Sequence, residues 1–280
     1  MNEPSFTQRR TTALRTNQQC YDLLAAARAP LCKPASDAEL ANPLGTVDPL
    51  GWLGSSIVGR TVLCLAAGGG RQSVLYASAG AQVTVVDLSP AMLELDRQAA
   101  RERRLSVRPI QASMDKLDML SANEFDIVIH PVSTCYLPDV APVFREVARV
   151  LRAGGIYVSQ HKSPISLQAS YAADVHQQFS IMHSYYREDP VPDPSGANSA
   201  SRRLRERGAV EYVHRLEQLI GGICRSGMVI EDLIEPVHAD ENAELGSFGH
   251  RGTFIAPYLR IKARKQATSA NQTSLLLRPS

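Results

Sequence analysis

Between residues 61 and 160 this chain alternates short apolar runs with helical patterns, and this alternation limits its possible folds more than any other feature. The apolar runs predict strands at 61–65, 82–87, 106–111, 125–130 and 156–160. Helices are predicted at 71–78, from the Ser89-Pro90 start signal to about residue 103, and from Asp139 to Gly154-Gly155. Strands that alternate with helices form a parallel sheet, so the sequence predicts an α/β fold.

The segments outside this region have different patterns. Residues 162–209 lack clear periodicity, and so long a segment in a compact domain is usually functional, so we expect it to cover the site. A helix is predicted from about Val210, and then strands at 228–234 and 253–263 that pair antiparallel, because their connection is too short for a helical crossover. One further helix is predicted at about 12–28. The expected organisation is an N-terminal cap segment at 1–55, a main domain at 56–264 with a cap insertion at 162–209, and a flexible tail at 265–280.

The composition excludes several classes of protein. Hydrophobic residues make up 44% and charged residues 21% of the 280 residues, which is typical of a folded globular chain rather than a disordered one. The formal net charge of +2 gives no overall electrostatic footprint for nucleic acid, and no apolar run reaches the ~18 residues that a membrane span needs. The five cysteines include no CxxC pair, so we expect neither a disulfide framework nor a metal site, and we expect a reducing, cytoplasmic location.

A glycine-rich turn, Ala66-Ala-Gly-Gly-Gly70, follows the first strand of the alternating region. Such a turn lets backbone amides approach a ligand at the carboxyl edge of a parallel sheet. Asp87 ends the next strand, where a carboxylate can accept hydrogen bonds from both hydroxyls of an adenosine ribose. The dinucleotide fingerprint G-x-G-x-x-G is incomplete because Ser73 takes its last position, so a ligand with a ribose but no pyrophosphate fits better.

Four successive segments resemble the motifs of class I S-adenosylmethionine-dependent methyltransferases. They are Val62-Leu-Cys-Leu-Ala-Ala-Gly-Gly-Gly70, Val85-Val-Asp-Leu-Ser-Pro-Ala-Met-Leu93, Phe125-Asp-Ile-Val-Ile-His130 and Val150-Leu-Arg-Ala-Gly-Gly155. The resemblance covers about residues 58–160 and is closest to the small-molecule branch of that superfamily. It implies a Rossmann-like fold with a mostly parallel seven-stranded sheet, a reversed last strand and a helical or loop cap. It also implies S-adenosyl-L-methionine as cofactor and S-adenosyl-L-homocysteine as product.

The resemblance further implies which residues bind the cofactor. They are Ala66, Ala67, Gly68 and Gly70 for the methionine part, Asp87 for the ribose, Leu88, Met92, Ser113 and Met114 around the adenine, His130 near the methionine end, and Tyr21 as a contact from the N-terminal helix. Three positions depart from the family pattern, because Cys64 replaces an acid, Ala66 a glycine and Ser113 an acid. Asp115 is therefore a candidate partner for the adenine amino group.

Methyl transfer is an in-line displacement that mainly requires donor and acceptor to be held together in a dry site. A general base is needed only where the acceptor must lose a proton. His130 and His161 end the fourth and fifth strands and Tyr136 follows the fourth, so these three residues are the catalytic candidates. Tyr185 and Tyr186 of the insertion are expected to line the acceptor pocket. No cluster of acids near these strands indicates a metal.

These observations predict transfer of a methyl group to an oxygen, nitrogen or sulfur atom of a small-molecule acceptor. Three alternatives stay open. The first is a nucleic-acid, in particular RNA, methyltransferase, which would require basic residues around the pocket. The second is a non-catalytic S-adenosylmethionine-binding protein, and the third is a nicotinamide oxidoreductase. The sequence identifies neither the acceptor nor the oligomeric state.

Overall fold

The computed structural model describes residues 5–193 and 203–267, and its centre is one seven-stranded sheet. The strands are β1 (Thr61–Leu65), β2 (Gln82–Asp87), β3 (Val107–Gln111), β4 (Phe125–His130), β5 (Leu151–Lys162), β6 (Met228–Ile234) and β7 (Tyr258–Lys265). Their order across the sheet is β3-β2-β1-β4-β5-β7-β6. β7 runs antiparallel to β5 and β6, and the other neighbours are parallel. The predicted sheet with a reversed last strand is therefore confirmed.

Helices cover both faces of the sheet, and three of them precede the first strand in the sequence. They are α1 (Phe6–Ala26), α2 (Asp37–Ala41), α3 (Pro43–Val47), α4 (Arg71–Ser78), α5 (Pro90–Glu102), α6 (Ala141–Val150), α7 (Pro164–Gln168), α8 (Gly222–Arg225) and α9 (Phe248–Gly252). Ser5 and Gln8 form a reciprocal capping box that starts α1, and Ser89 caps α5 by accepting the N–H of Met92 at 3.0 Å. None of the helices in the two described ranges has the length and apolar character that crossing a membrane would need.

The sheet is buried on both faces, as expected for parallel strands between helical layers. On one face, Leu63 of β1 belongs to an apolar cluster with Phe144 of α6. On the other face, Val62 and Cys64 belong to a cluster with Tyr76 of α4. Because apolar side chains fill both faces, the carboxyl ends of the strands are where polar groups can converge.

The predicted helix from Val210 is wrong in its first part. Residues 210–215 have no regular secondary structure, and a π-helical turn at Glu217–Gly221 precedes α8. Hydrogen bonds to distant segments hold this stretch: the Asn17 side chain bonds the N–H and the carbonyl of Val210 at 2.7 and 3.0 Å, and His214 Nε2 lies within 3.1 Å of two carbonyl oxygens. These tertiary contacts override the helical spacing of the apolar residues.

Several boundaries also differ from the prediction. α1 begins at Phe6, about six residues earlier than predicted, because the capping box of Ser5 and Gln8 starts it there. α6 ends at Val150 rather than at Gly154-Gly155, because Leu151 is already extended and pairs with the first residue of β4. β7 begins at Tyr258, five residues later than predicted, since α9 and a turn precede it. Most of the predicted tail, residues 268–280, lies outside the described residues.

Candidate active site

A cavity of about 440 Å³ lies at the carboxyl ends of β1, β2 and β4, the edge at which such sheets bind ligands. The glycine-rich turn, the loops after these strands, α1 and residues 203–206 all contribute to it. Its lining includes Asn17, Tyr21, Ala66, Ala67, Gly68, Gly69, Asp87, Leu88, Ser113, Met114, Tyr136, Lys162, Arg203, Glu206 and Tyr258.

Asp87 fastens the glycine-rich turn to the end of β2. One carboxylate oxygen accepts the N–H of Gly68 at 2.9 Å, and the other accepts the N–H of Ser89 at 2.9 Å. A Cβ atom at Gly68 would lie 2.8 Å from Met92 Cβ and 3.0 Å from the Asp87 carboxylate, so this position requires glycine. Burial raises the pKa of Asp87, because desolvation disfavours its charge. The carboxylate lines the cavity with acceptor capacity left for a ligand hydroxyl.

Asp96 of α5 holds the same turn from the helix side. Its carboxylate accepts the N–H groups of Gly69 and Gly70 at 3.0 and 3.2 Å and the hydroxyl of Ser73. Asp96 is 0% exposed, and burial raises its pKa to about 6. Sequence reasoning missed this residue, although an acid within the apolar, helically spaced series of α5 was a signal for it.

His130 lies beside the cavity but does not line it. Its side chain is 1% exposed, with Nδ1 2.7 Å from the Tyr157 hydroxyl and Nε2 2.7 Å from the Ser133 hydroxyl. Burial lowers the pKa of His130 to about 3, so the ring is neutral at physiological pH. Both ring nitrogens already have protein partners, and this arrangement does not favour contact with a substrate proton.

His161 is in a similar position. It is 0% exposed and does not line the cavity, and its ring nitrogens lie 2.9 Å from the Thr134 hydroxyl and 2.8 Å from the Ser159 hydroxyl. Burial lowers the pKa of His161 well below the usual value. Topology therefore brings both histidines to the predicted edge, but their side chains point into the protein.

Tyr136 is the catalytic candidate that does line the cavity, together with Tyr21 of α1. The two hydroxyl oxygens are 2.7 Å apart. The side chain of Asn17 donates to the Tyr136 carbonyl at 3.1 Å, so α1 contacts both the backbone and the side chain of this residue.

The end of the cavity formed by β5, β7 and residues 203–206 contains charged and phenolic groups that the sequence did not suggest. Lys162 ends β5 and pairs across the sheet with Tyr258, the first residue of β7. Lys162 Nζ lies 2.7 Å from a carboxylate oxygen of Glu211, whose other oxygen lies 3.2 Å from Arg205 Nε. Glu206 also lines the cavity, and burial raises the pKa of its carboxyl. Tyr258 could have been predicted from the sequence. An antiparallel strand next to β5 begins opposite the residue that ends β5, so the first residue of β7 lies at the ligand edge.

The structure brings most of the predicted cofactor residues together. Ala66, Ala67, Gly68, Asp87, Leu88, Ser113, Met114 and Tyr21 all line the cavity. Gly70, Met92 and His130 do not. Gly70 faces α5, and Met92 is 1% exposed beside Cys32, where it supports the turn at Gly68. Within residues 5–193 and 203–267, no group of three His, Cys, Asp or Glu side chains could hold a metal ion.

The expectation that Asp115 faces the adenine is wrong. Its carboxylate accepts from Arg10 Nε and Nη2 at 2.6 and 2.9 Å and from the Ser113 hydroxyl, and it does not line the cavity. The ion pair with Arg10 occupies the Asp115 carboxylate and fixes α1 to the loop after β3.

The expectation that Tyr185 and Tyr186 line the pocket is also wrong. Tyr185 accepts a hydrogen bond from the N–H of Leu216 at 3.1 Å, and Tyr186 is 73% exposed; neither lines the cavity. The insertion contributes Arg203, Leu204 and Glu206 instead.

Several known proteins are similar to this chain. A family model described as "Methyltransferase domain" matches residues 63–159. The uncharacterized methyltransferase YbaJ of Bacillus subtilis is 33% identical over 179 residues, which are 64% of this chain and 69% of that protein. A ubiquinone biosynthesis O-methyltransferase of Bordetella pertussis is 32% identical over 118 residues, and the match spans 40% of this chain and 49% of that protein. A solved S-adenosylmethionine-dependent methyltransferase from Mesorhizobium loti has a TM-score of 0.62, covering 81% of this chain and 100% of that one, at 23% identity, which shows a shared fold.

Proposed function

Because this chain belongs to the class I S-adenosylmethionine-dependent methyltransferases, we propose that its cavity binds this cofactor together with a small-molecule acceptor, which receives the methyl group on an oxygen, nitrogen or sulfur atom. The observation that carries the proposal is the meeting of the glycine-rich turn, Asp87 and a polar acceptor end in one cavity. The Bordetella relative is named as an O-methyltransferase of ubiquinone biosynthesis, which supports a small-molecule acceptor.

The residues present fit the cofactor. Gly68 leaves no room for a Cβ atom between Met92 and Asp87, so the turn presents bare backbone to the cavity. Asp87 would accept the ribose hydroxyls, and Leu88 and Met114 would flank the adenine. When bound, the cofactor supplies an electrophilic methyl group on a sulfonium. The chain itself has to orient the acceptor, exclude water and take up a proton where the acceptor carries one.

We propose that Glu206, rather than either buried histidine, takes up that proton. In the part of the chain that the structure describes, the Glu206 carboxylate lines the cavity and has no ion-pair partner. Burial raises the pKa of Glu206, while the charge of Lys162 acts in the opposite direction. A raised pKa brings a carboxylate closer to the range in which a general base works at neutral pH. Tyr21 and Tyr136 would hold the acceptor beside it.

The charges around the cavity favour a small acceptor over a nucleic acid. Two of the three described cations that line the cavity have acidic partners: Lys162 pairs with Glu211, and Arg71 at the start of α4 lies 2.5 Å from Glu39. The third, Arg203, packs over the ring of Phe248. Cations that already have acidic partners offer little attraction to a polyanion.

Transfer of a labelled methyl group into separate metabolite, tRNA and rRNA pools tests the proposal. We expect label in the metabolite pool, and a decrease of about a hundredfold or more with Glu206→Gln at an almost unchanged affinity for S-adenosylhomocysteine. Glu188→Gln, an exposed acid of the same insertion, is the matched control. Label in RNA would contradict the small-molecule acceptor. Tight cofactor binding without label in any pool would indicate a non-catalytic protein.

A further inference from the structure

The first strand carries a thiol where the resemblance places an acid. Cys64 is 0% exposed, and burial raises the pKa of its thiol, so the side chain is uncharged. A neutral thiol is a weak hydrogen-bond acceptor and cannot fix backbone N–H groups as a carboxylate does. Another group has to accept hydrogen bonds from the turn that follows this strand, because that turn has buried N–H donors.

Those donors are the N–H groups of Gly69 and Gly70. Both residues have positive φ, +118° and +85°, a conformation that favours glycine and that needs support from its surroundings. The Gly69 N–H lies 3.0 Å from Asp96 and 3.2 Å from the carbonyl of Met92, and the Gly70 N–H lies 3.2 Å from Asp96. Asp96 therefore contacts both donors and also the Ser73 hydroxyl in the first turn of α4.

We propose that Asp96 is the positioning residue for the cofactor turn, and that it supplies from helix α5 the carboxylate that the resemblance would place at position 64. After burial, the charge of Asp96 is the second cause of the raised pKa of the Cys64 thiol. Asp96 acts on the bound ligand through Gly69. The Gly69 N–H donates to the Asp96 carboxylate, and the same residue lines the cavity. This inference rests on the proposed cofactor but not on the identity of the acceptor.

The proposal also predicts an effect of pH. Among the described residues, Asp87 of β2 is a titratable group whose charge raises the pKa of Asp96, and Asp22 of α1 in turn raises the pKa of Asp87. The Cys64 thiol of β1 is uncharged. Burial raises the pKa of Asp96 to about 6, so its carboxylate loses charge as the pH falls through that value. The turn then loses its charged acceptor, and cofactor affinity should fall over the same range.

Calorimetric titration of the full chain with S-adenosylhomocysteine, at pH 8 and at pH 5.5, is the test. We expect Asp96→Asn to weaken binding at pH 8 by about tenfold to a hundredfold, because two hydrogen bonds lose their charged acceptor. We also expect the variant to lose less affinity between pH 8 and pH 5.5 than the wild type does. Asp118→Asn, an exposed acid, is the matched control and should behave like the wild type.

A role in folding alone would lower the melting temperature of the Asp96→Asn variant but leave its affinity and pH profile unchanged, and that result would overturn the proposal. The double variant Cys64→Asp/Asp96→Asn should recover part of the lost affinity, and no recovery would overturn the equivalence of the two positions. If the wild type itself fails to bind S-adenosylhomocysteine, the proposed function fails first, so the two failures are distinguishable.

Discussion

The hydroxyl oxygens of Tyr21 and Tyr136 lie 2.7 Å apart, so one hydrogen bond joins helix α1 to the loop after β4 within the candidate active site. The rings meet edge to face, with centroids 5.5 Å apart. Burial raises the pKa of both hydroxyls, so both stay protonated at neutral pH. This contact connects the N-terminal segment to the edge of the sheet.

We expect Tyr136→Phe to lower the free energy of unfolding by about 0.5–1.5 kcal/mol, because the hydrogen bond between the two partly buried hydroxyls is lost. Tyr21→Phe should then cost less in the Tyr136→Phe background than in the wild type. A double-mutant cycle followed by urea denaturation measures this difference, and a coupling energy near zero would contradict the expectation.

Asp87→Ala should weaken S-adenosylhomocysteine binding by roughly tenfold to a hundredfold. Hydrogen bonds to a charged group contribute about 1.5–3 kcal/mol, and 1.4 kcal/mol corresponds to a factor of ten in affinity. Calorimetry measures the change, with circular dichroism to confirm the fold. Unchanged affinity in a folded variant would refute the assignment of Asp87 to the ribose.

Ala66 has a φ of +49°, in the left-handed region where an alanine side chain costs about 1–2 kcal/mol. We expect Ala66→Gly to raise the free energy of unfolding by about 0.5–1 kcal/mol, because the strain relieved exceeds the added entropy of the unfolded chain. Ala67→Gly, one residue later and outside that region, should lower it instead. Equal effects of the two substitutions in thermal denaturation would show that Ala66 is not strained.

Glu211 is the shared partner of two buried cations, Lys162 and Arg205, and is itself 0% exposed. Glu211→Gln should lower the free energy of unfolding by about 3–5 kcal/mol, because it leaves buried positive charge uncompensated. Glu217→Gln removes an exposed acid that also pairs with two arginines, so it is the control and should change stability much less. Similar losses for both variants in denaturant titrations would rule out this explanation.

His214 is buried, and its burial lowers its pKa to about 4, whereas an unfolded chain has a histidine pKa near 6.5. Between these values the unfolded state binds one more proton at this residue, so His214 reduces stability as the pH falls below about 6.5. His214→Gln should therefore make the free energy of unfolding less dependent on pH between 6.5 and 5, by up to about 1.4 kcal/mol per pH unit. Parallel pH curves for variant and wild type would disprove it.

The central strands were predictable because their physical signal is local. Strands β1, β2 and β4 are buried on both faces, so each is a continuous apolar run with a turn signal after it. The segment from Val210 was not predictable in this way. Its apolar residues have helical spacing, but the Asn17 side chain, almost 200 positions away in the sequence, bonds its backbone and excludes a helix there.

The site was predictable in the same uneven way. The glycine-rich turn and Asp87 depend on local chain geometry, and they lie in the cavity where the motif order implies. Sequence order placed His130 and His161 at the correct edge but did not reveal that hydroxyls of neighbouring strands and loops would occupy their ring nitrogens. Glu206 comes from a segment without periodicity, so no pattern identified it.

The reversed strand β7 determines when the site can form during synthesis. Its first residue, Tyr258, meets Lys162 at the cavity, while Asn17 lines the same cavity from near the opposite end of the chain. Walls so distant in sequence cannot come together until Tyr258 has left the ribosome. The residues assigned to the cofactor lie between Tyr21 and Met114 and are made first, so the end of the cavity that Lys162 and Tyr258 form is completed last.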